Sequence, residues 1–472
     1  MKIAVISEVY IPKVDGVVRR TMNLIRHLQQ FGDEVRVYCP EADAPRMSPV
    51  PVVEFRGFPC PSYPEYIIGR PDERLVEDLN AFRPDIIHVL NPLAFGFQCC
   101  ELMIRSGIDV PLVFSFHTLY AEFVKTYPLL KVLSRPIWWL TRHYHNKADL
   151  NLTVSAIMAD ELRDRDFHNV VLWPPAVDSE AFSPQRRNWD MRCRLSGNHP
   201  EQPLVLTVSR LAPEKNVAFL ADVMRQIPEA CLAIVGEGPQ RAQLERRFSP
   251  VRTHFVGYLH GDDLAKAYAS ADVFMYASET ETMGNVILEA QASGLPVIAA
   301  NAGGVRGLIE NGKDGLMYKP RSTNDAVASL RNVLRDPRLR TQLSASAVLS
   351  ASKRSWPAAA VEVRDQYRHA IKDYASRPSL PFRKNGTDII ARVATSAILN
   401  ALATLSKISC SRSKFTRSQR IPKAPVHNPV AESVERSAEH LKEKDQERIL
   451  DVDRRTHDVN PAQGSYAVSD HG

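Results

Sequence analysis

Residues 273–290 read VFMYASETETMGNVILEA, and this stretch decides which fold the sequence predicts. A short apolar run at its start is a candidate strand, a polar loop follows it, and an apolar helical pattern closes it. In a parallel α/β sheet, ligands bind at the loops that follow the carboxyl ends of the strands. The amide groups of Met283, Gly284 and Asn285 would then lie at a helix start, which is a natural seat for a phosphate.

The same alternation of short apolar runs and helical patterns covers most of the chain. Near-continuous Val, Ile and Leu runs bounded by turns are typical of parallel strands that are covered on both faces. The first half contains candidate strands at 3–7, 35–39, 86–89, 112–116, 150–154 and 171–173. The pattern restarts after Pro174 and Pro175, with candidate strands at 204–209, 232–235, 254–256, 273–276, 297–299 and 316–318. We therefore predict two doubly wound α/β domains, with one very large sheet as the alternative.

Length and composition divide the chain further. Its 472 residues, of which 44% are apolar, suit about three domain-sized units. We predict one domain at 1–175, a second at 176–355, a crossover helix at 356–375 and a tail at 376–472. The tail is rich in Pro, Ser, Lys and Arg, which indicates disorder. Apolar residues between 389 and 408 nevertheless have nearly helical spacing beside a basic run, so an amphipathic membrane-binding segment is an alternative to a disordered linker.

Composition also excludes several classes of protein. The net charge of the whole chain is only +6, so we expect no nucleic-acid partner. A run of 18 apolar residues is absent, which argues against a membrane-spanning helix. Strand-like residues follow Met1 directly, so we expect no signal peptide and a cytoplasmic protein. The seven cysteines include no Cys-x2-Cys pair, which argues against a disulfide framework or a zinc site.

Charged residues follow the predicted strands of the second half where a ligand would lie. Glu281 and Glu289 flank the helix start, and carboxylates accept well from vicinal hydroxyls, so both are candidate sugar or ribose ligands. Arg210 and Lys215 follow the strand at 204–209, where a cationic clamp for a diphosphate would be needed. Taken singly, these residues would be ordinary surface or helix-terminus charges. Their shared position at strand ends favours a binding site.

Two features of the first half are expected to face a cleft between the two predicted domains. Gly16 belongs to a glycine loop between the first strand and a helix. His117 ends the strand at 112–116, although a hydrogen-bonded histidine at a strand end is the alternative interpretation.

Taken together, these motifs resemble the family 4 retaining glycosyltransferases of the GT-B fold, in which two Rossmann-like domains face a cleft. The Glu281-x7-Glu289 spacing, the Arg210 and Lys215 pair, Gly16 and His117 carry this likeness, which covers residues 2–375. Within the family, the sequence is similar to the sulfolipid synthases, which are sulfoquinovosyldiacylglycerol synthases. The finer likeness rests on segments such as PKVDGV (12–17), FRPDIIHV (82–89) and AYASADVF (267–274).

The resemblance implies a role for each candidate residue. Arg210 and Lys215 would hold the diphosphate of a UDP-sugar, and Glu289 would accept from its ribose hydroxyls. Glu281 and His117 would contact the donor sugar and are the catalytic candidates. The remaining donor contacts would be backbone amides, those of Gly16, Met283, Gly284 and Asn285. The resemblance further implies retention of configuration, with the departing phosphate deprotonating a lipid acceptor such as diacylglycerol, and no metal or other cofactor.

Some residues depart from the family's pattern near the cleft. WPPAVD (173–178) lacks the Arg-Gly or Lys-Gly that usually precedes Val-Asp. Met283 stands where Leu or Phe is usual, and Asn285 where Leu is common. The donor therefore stays open, and the alternative is a GDP-mannose- or UDP-glucose-dependent transferase that acts on another lipid or a polysaccharide. Alternatives from other classes are a nucleotide-sugar-binding protein without turnover and a nucleotide-sugar epimerase.

Aromatic and basic residues are concentrated between 119 and 147, where Glu122 is the only acid. Such mixtures favour the headgroup region of an anionic membrane leaflet, so we predict a peripheral membrane protein. Packing of these aromatic residues into the first domain is the alternative. The residues concerned are Tyr120, Phe123, Lys125, Tyr127, Lys131, Arg135, Trp138, Trp139, Arg142, Tyr144 and Lys147.

Overall fold

The computed structural model describes residues 1–13, 16–40, 44–60, 63–123, 131–376, 391 and 393–396. The strands are β1 (Lys2–Ser7), β2 (Glu34–Cys39), β3 (Val52–Glu54), β4 (Gly57–Cys60), β5 (Tyr63–Gly69), β6 (Ile86–Leu90), β7 (Leu112–Phe116), β8 (Leu150–Thr153), β9 (Val170–Leu172), β10 (Leu204–Val208), β11 (Cys231–Val235), β12 (Thr253–Gly257), β13 (Val273–Tyr276), β14 (Val297–Ala300) and β15 (Leu316–Tyr318). The helices are α1 (Gly16–Gln30), α2 (Ala44–Met47), α3 (Arg74–Phe82), α4 (Phe95–Arg105), α5 (Tyr120–Phe123), α6 (Ser134–His145), α7 (Ala156–Arg163), α8 (Trp189–Ser196), α9 (Ala218–Met224), α10 (Arg241–Phe248), α11 (Gly261–Ser270), α12 (Asn285–Ala292), α13 (Thr323–Arg335), α14 (Pro337–Ser352) and α15 (Trp356–Ser376).

Two parallel sheets organise these elements. The first has the strand order β3-β2-β1-β6-β7-β8-β9, and the second has the order β12-β11-β10-β13-β14-β15. In each sheet the chain starts at a central strand, β1 or β10, and adds strands towards one edge. It then returns to the other side of that central strand with β6 or β13. The carboxyl ends of the strands on either side of such a switch point open a crevice for ligands. The prediction of two doubly wound α/β domains is confirmed, with the short β4–β5 antiparallel pair as an addition.

Burial on both faces explains why the strands read as unbroken apolar runs. Every residue of β6, β7, β13 and β14 is buried. Helix α1 shows the complementary pattern, since Val18, Leu24, Ile25 and Leu28 are buried on one side of it. These side chains join the core on one face of the first sheet, at the spacing that a helix requires.

Helix α15 returns to the first domain, as predicted. Its Val363 and Tyr367 are fully buried among the residues of β1 and α1. The Tyr367 hydroxyl lies 2.6 Å from Nδ1 of His88 in β6, and Arg364 pairs with Asp33 at 2.6 Å. The helix thus ties the end of the second domain to the first sheet.

Several sequence predictions fall on residues outside the described ranges. These include Val14 and Asp15 of the glycine loop, Lys125 and Tyr127 of the aromatic-basic segment, and nearly all of the tail. Within the tail, Ala391 and residues 393–396 are helical, and Ala391 is 1% exposed in a cluster with Leu140 and Tyr144 of α6. None of the helices in the described ranges is long and apolar enough to span a bilayer.

Candidate active site

The loop between β13 and α12 carries most of the candidate residues. Gly284 ends this loop with a φ of +96°, a conformation that residues with a Cβ rarely adopt. Helix α12 begins immediately afterwards at Asn285. Amide groups in the first turn of a helix have no acceptor within that helix, so they are available to a bound anion.

Two glycines after β14 hold this loop in place. The Gly304 amide donates to the carbonyl of Glu281 at 2.6 Å. A Cβ on Gly304 would lie 2.1 Å from the carbonyl oxygen of Thr282, and one on Gly303 would lie 2.6 Å from that of Glu281. Both positions therefore require glycine for the loop to keep its place.

Lys215 and Glu281 meet at the switch point of the second sheet. Lys215 follows β10, and its Nζ lies 2.6 Å from Oε1 of Glu281. The Tyr276 hydroxyl, at the end of β13, donates to the same oxygen at 2.7 Å. Burial opposes the charge of Glu281, but Lys215 and the hydrogen bonds outweigh it and hold the pKa of this carboxyl below its usual range. Glu281 is therefore an ionised acceptor at neutral pH.

Arg210 lies in the same loop after β10, packed against the loop that follows β11. Gly236 has a φ of +131°, and a Cβ there would lie 2.0 Å from the carbonyl oxygen of Ser209. A Cβ on Gly238 would lie 2.4 Å from the carbonyl oxygen of Leu211. The glycines of GEGP (236–239) therefore allow a close backbone approach that fixes the loop carrying Arg210.

Glu289 lies in the second turn of α12 and is buried. The Tyr268 hydroxyl donates to its Oε2 at 2.9 Å. Its Oε1 forms an ion pair with Arg19, which belongs to α1 in the first domain. Glu289, the predicted ribose ligand, is therefore already engaged in a contact between the two domains.

His117 is buried at the end of β7, on the first domain's side of the cleft. Its Nε2 lies 3.0 Å from the Ser115 hydroxyl, and its ring packs edge-on to Trp173 at 5.3 Å. Its carbonyl accepts from the Thr282 hydroxyl at 2.7 Å, which joins it to the loop of Glu281. Burial, together with the nearby Arg20, lowers the pKa of His117 well below its ordinary value, so the ring is neutral at pH 7.

Arg20 is a buried cation beneath the cleft and is only 1% exposed. It donates to the carbonyls of Trp173 and Pro174 at 2.7 and 2.6 Å, and to Sδ of Met283 at 3.2 Å. Among the residues that the structure describes, no carboxylate pairs with it, and burial lowers its pKa to about 9. Arg20 thus links the connection between the domains to the Met283 side chain.

Gly16 brings the two helix starts together. It is the first residue of α1, and a Cβ built on it would lie 3.0 Å from Nδ2 of Asn285, the first residue of α12. The Oδ1 of Asn285 is buried, and no group within the described ranges donates a hydrogen bond to it. The positive ends of two helices therefore lie close together.

The predicted residues thus come from the carboxyl ends of β1, β7, β10 and β13. Sequence reasoning missed Arg19, Tyr268 and Tyr276, which are partners of the two glutamates. The sequence did contain a signal for the two tyrosines. A buried carboxylate requires hydrogen-bond donors, and both phenols lie close in sequence to the motif of Glu281 and Glu289. Arg19 carried no such signal, because only the folding of the two domains onto each other brings it to Glu289.

Glu8 is a further buried carboxylate that sequence reasoning did not single out. It accepts from the amides of Leu93, Phe95 and Gly96 at 2.7, 3.1 and 2.7 Å, and from the Tyr66 hydroxyl at 2.6 Å. Burial raises its pKa. Four donors saturate this carboxylate, so we interpret it as the residue that fixes the start of α4.

Comparison with known proteins agrees with this geometry. Residues 14–181 match the family Glycosyltransferase Family 4, and residues 194–348 match Glycosyl transferases group 1. The chain is 38% identical over 369 residues to sulfoquinovosyl transferase SQD2 of Arabidopsis thaliana. The aligned region covers 76% of this chain and 71% of that protein. It is 35% identical over 383 residues to a GDP-mannose-dependent alpha-mannosyltransferase of Mycolicibacterium smegmatis, covering 79% of this chain and 98% of the relative.

A solved structure shows the same fold. Anabaena HepE in complex with UDP and glucose superposes with a TM-score of 0.64 at 18% identity, covering 78% of this chain and 99% of HepE. The chain belongs to the family 4 glycosyltransferases and is a GT-B glycosyltransferase close to the sulfoquinovosyl transferase SQD2.

Proposed function

We propose that this protein transfers a sugar, with sulfoquinovose as the first candidate, from a UDP-sugar to a lipid acceptor such as diacylglycerol, with retention of configuration. The observation that carries the proposal is the pairing of Lys215 with Glu281 in the loop that precedes α12. Glu289 follows in the second turn of that helix. In this proposal Lys215 binds phosphate, Glu281 binds the sugar and Glu289 binds the ribose of one donor molecule. The 38% identity to SQD2 supports sulfoquinovose as the sugar.

The donor would lie across the carboxyl ends of the second sheet. Arg210 and Lys215 bind the diphosphate, and the amides of Gly16, Met283, Gly284 and Asn285 complete its seat from the two helix starts. Glu289 accepts from the ribose hydroxyls. Glu281 accepts from hydroxyls of the donor sugar, a task that its low pKa suits because an ionised carboxylate is a stronger acceptor.

The protonation states fit a mechanism without a carboxylate base. The acceptor hydroxyl attacks from the face that the diphosphate leaves, and the departing phosphate oxygen takes its proton. His117 is neutral at the pH of the cell, so it contributes hydrogen bonds near the reacting carbon rather than a proton. Glu281 stays charged and stabilises the positive character that develops on the sugar ring.

The acceptor would reach the cleft from a membrane surface. Lys131 and Val132 lie in a 3-10 turn directly before α6, and Arg135 lies in the first turn of α6. All three are exposed, and Val132 is 77% exposed. An apolar side chain between two cations suits the headgroup region of an anionic leaflet. Other members of the aromatic-basic segment pack internally, since Tyr144 stacks on Phe97 at 4.5 Å. The proposed docking surface is therefore Lys131, Val132 and Arg135, and the enzyme is peripheral on the cytoplasmic membrane face.

A GDP-mannose donor is the second candidate. It is favoured by the 35% identity to a GDP-mannose-dependent alpha-mannosyltransferase, which aligns over 98% of its length. The residues that would distinguish the two donors lie around Met283 and Asn285, where this sequence departs from its family.

Incubation of the enzyme with nucleotide sugars and diacylglycerol, followed by mass spectrometry of the lipids, tests the proposal. The panel contains UDP-sulfoquinovose, UDP-glucose and GDP-mannose, and we expect product from UDP-sulfoquinovose with its anomeric configuration retained. A Glu281→Gln enzyme, which we expect to have strongly reduced activity, serves as the control. A wild-type enzyme that forms a lipid product only from GDP-mannose supports the second candidate, and the absence of lipid product from every donor contradicts a diacylglycerol acceptor.

A further inference from the structure

Arg19 belongs to the first domain but contacts Glu289 in the second domain. It lies three residues after Gly16 in α1, and its guanidinium reaches Oε1 of Glu289 in the second domain. The Arg19 side chain is 44% exposed, whereas that of Glu289 is 6% exposed. The cation thus lies at the open edge of the cleft, while the carboxylate is held inside it.

Glu289 can release Arg19 without losing its place. Tyr268 holds its other oxygen at 2.9 Å, and a carboxylate offers about four acceptor positions. Ribose hydroxyls can therefore take over the oxygen that now faces Arg19. The guanidinium, whose side chain is 44% exposed, is then available to pair with another anion.

The diphosphate supplies that anion at the right place. The start of α1 at Gly16 adjoins the start of α12 at Asn285, so the predicted phosphate seat lies between the two helix ends. Arg19 lies within the first turn of α1, beside that seat. A planar guanidinium binds phosphate oxygens through two parallel hydrogen bonds, which a lysine cannot do.

We propose that Arg19 is a donor-binding residue that leaves Glu289 for the diphosphate when the nucleotide sugar enters. The exchange replaces a direct contact between the domains with one that runs through the donor, so the bound nucleotide bridges the two domains. This inference rests on the proposed nucleotide-sugar donor and adds to it a phosphate ligand from the first domain.

Calorimetric titration with UDP and with uridine tests the exchange, because only UDP carries phosphate. Loss of one charge-assisted contact predicts that Arg19→Gln weakens UDP binding about 10-fold while uridine binding changes by less than about two-fold. Arg19→Lys should recover part of the loss. Arg26→Gln, an exposed position on the same helix, is the matched control and should bind both ligands as the wild type does.

The possible results separate this inference from the proposed function. An equal loss for UDP and uridine would mean that Arg19 only orders Glu289, and tighter UDP binding would mean that it competes with the donor. Either result, or unchanged UDP binding, overturns the role of Arg19 and leaves the donor proposal intact. GDP is titrated as a third ligand, and if the wild-type protein binds neither UDP nor GDP, both proposals are overturned.

Discussion

The Nζ of Lys215 lies 2.6 Å from Oε1 of Glu281, which joins the loop after β10 to the loop after β13. These two strands flank the switch point of the second sheet. The pair therefore links the proposed phosphate ligand Lys215 to the proposed sugar ligand Glu281 and couples the positions of the two loops.

Replacement of Glu281 by glutamine removes the negative charge that pairs with Lys215 and that we propose as an acceptor for the donor sugar. Charge-assisted hydrogen bonds contribute about 1.5–3 kcal/mol each, so we expect kcat/KM to fall about 100-fold. Steady-state transfer kinetics with the donor found active in the panel measure the effect.

The matched control is Glu279→Gln in the same loop. Glu279 pairs with Arg321, whose side chain is 83% exposed, so this change should leave kcat/KM within about two-fold. Equal losses in the two variants would indicate general damage to the loop rather than a role for the Glu281 carboxylate.

Substitution of Gly304 by alanine should displace the same loop without touching a charged group. The new Cβ would lie 2.1 Å from the Thr282 carbonyl oxygen, so the backbone must move. A displacement of about 1 Å at a catalytic loop can cost about 100-fold in rate. We expect a 10- to 100-fold loss of kcat/KM with little change in the circular dichroism spectrum.

Gly307→Ala is the control for that variant, because it lies in the same 3-10 turn. A Cβ there meets only Ile157 at 3.9 Å, which is an ordinary contact. Wild-type activity in both alanine variants would refute the packing argument for Gly304.

The sequence predicted the two sheets because both faces of the central strands are covered, as Val89 in β6 and Phe274 in β13 illustrate. It also placed the glutamates and the cations at strand ends, since parallel strands share one carboxyl edge. Lys215 and Glu281 could be assigned to one site by that rule alone.

The partners of those residues could not be assigned in the same way. Arg19 reaches Glu289 across 270 residues of chain, so their contact depends on the relative placement of two domains. The buried position of Arg20, with carbonyl acceptors in the connection between the domains, has the same origin. Patterns of hydrophobicity describe each domain internally and carry little information about how two domains meet.

Three buried histidines should make the stability of the protein depend on pH. Burial lowers the pKa of His88 and His145 to about 3 and that of His117 well below its ordinary value, 6.5. Between pH 6.5 and about 3, the unfolded chain takes up protons that the folded one excludes, so stability falls as the pH falls. Each histidine lowers the free energy of unfolding by about 1.4 kcal/mol for each pH unit within this range.

Urea unfolding at pH 7.0, 6.0 and 5.0 measures that dependence. His88→Gln keeps an acceptor for the Tyr367 hydroxyl. This variant should reduce the slope of the unfolding free energy against pH by the contribution of one histidine. An identical slope in wild type and variant would mean that His88 becomes protonated in the folded state.

The proposed docking surface predicts binding that depends on anionic lipid. Each basic residue near an anionic leaflet contributes about 1 kcal/mol, so reversal of Lys131 and Arg135 to glutamate should weaken binding to phosphatidylglycerol vesicles by at least about 10-fold. Sedimentation with vesicles measures the bound fraction, and high salt should weaken wild-type binding in the same direction. Reversal of Arg246 and Lys353, exposed basic residues of the second half, is the control for net charge. Equal losses in the two double variants would show that overall charge, and not the face formed by Lys131, Val132 and Arg135, brings the enzyme to the membrane.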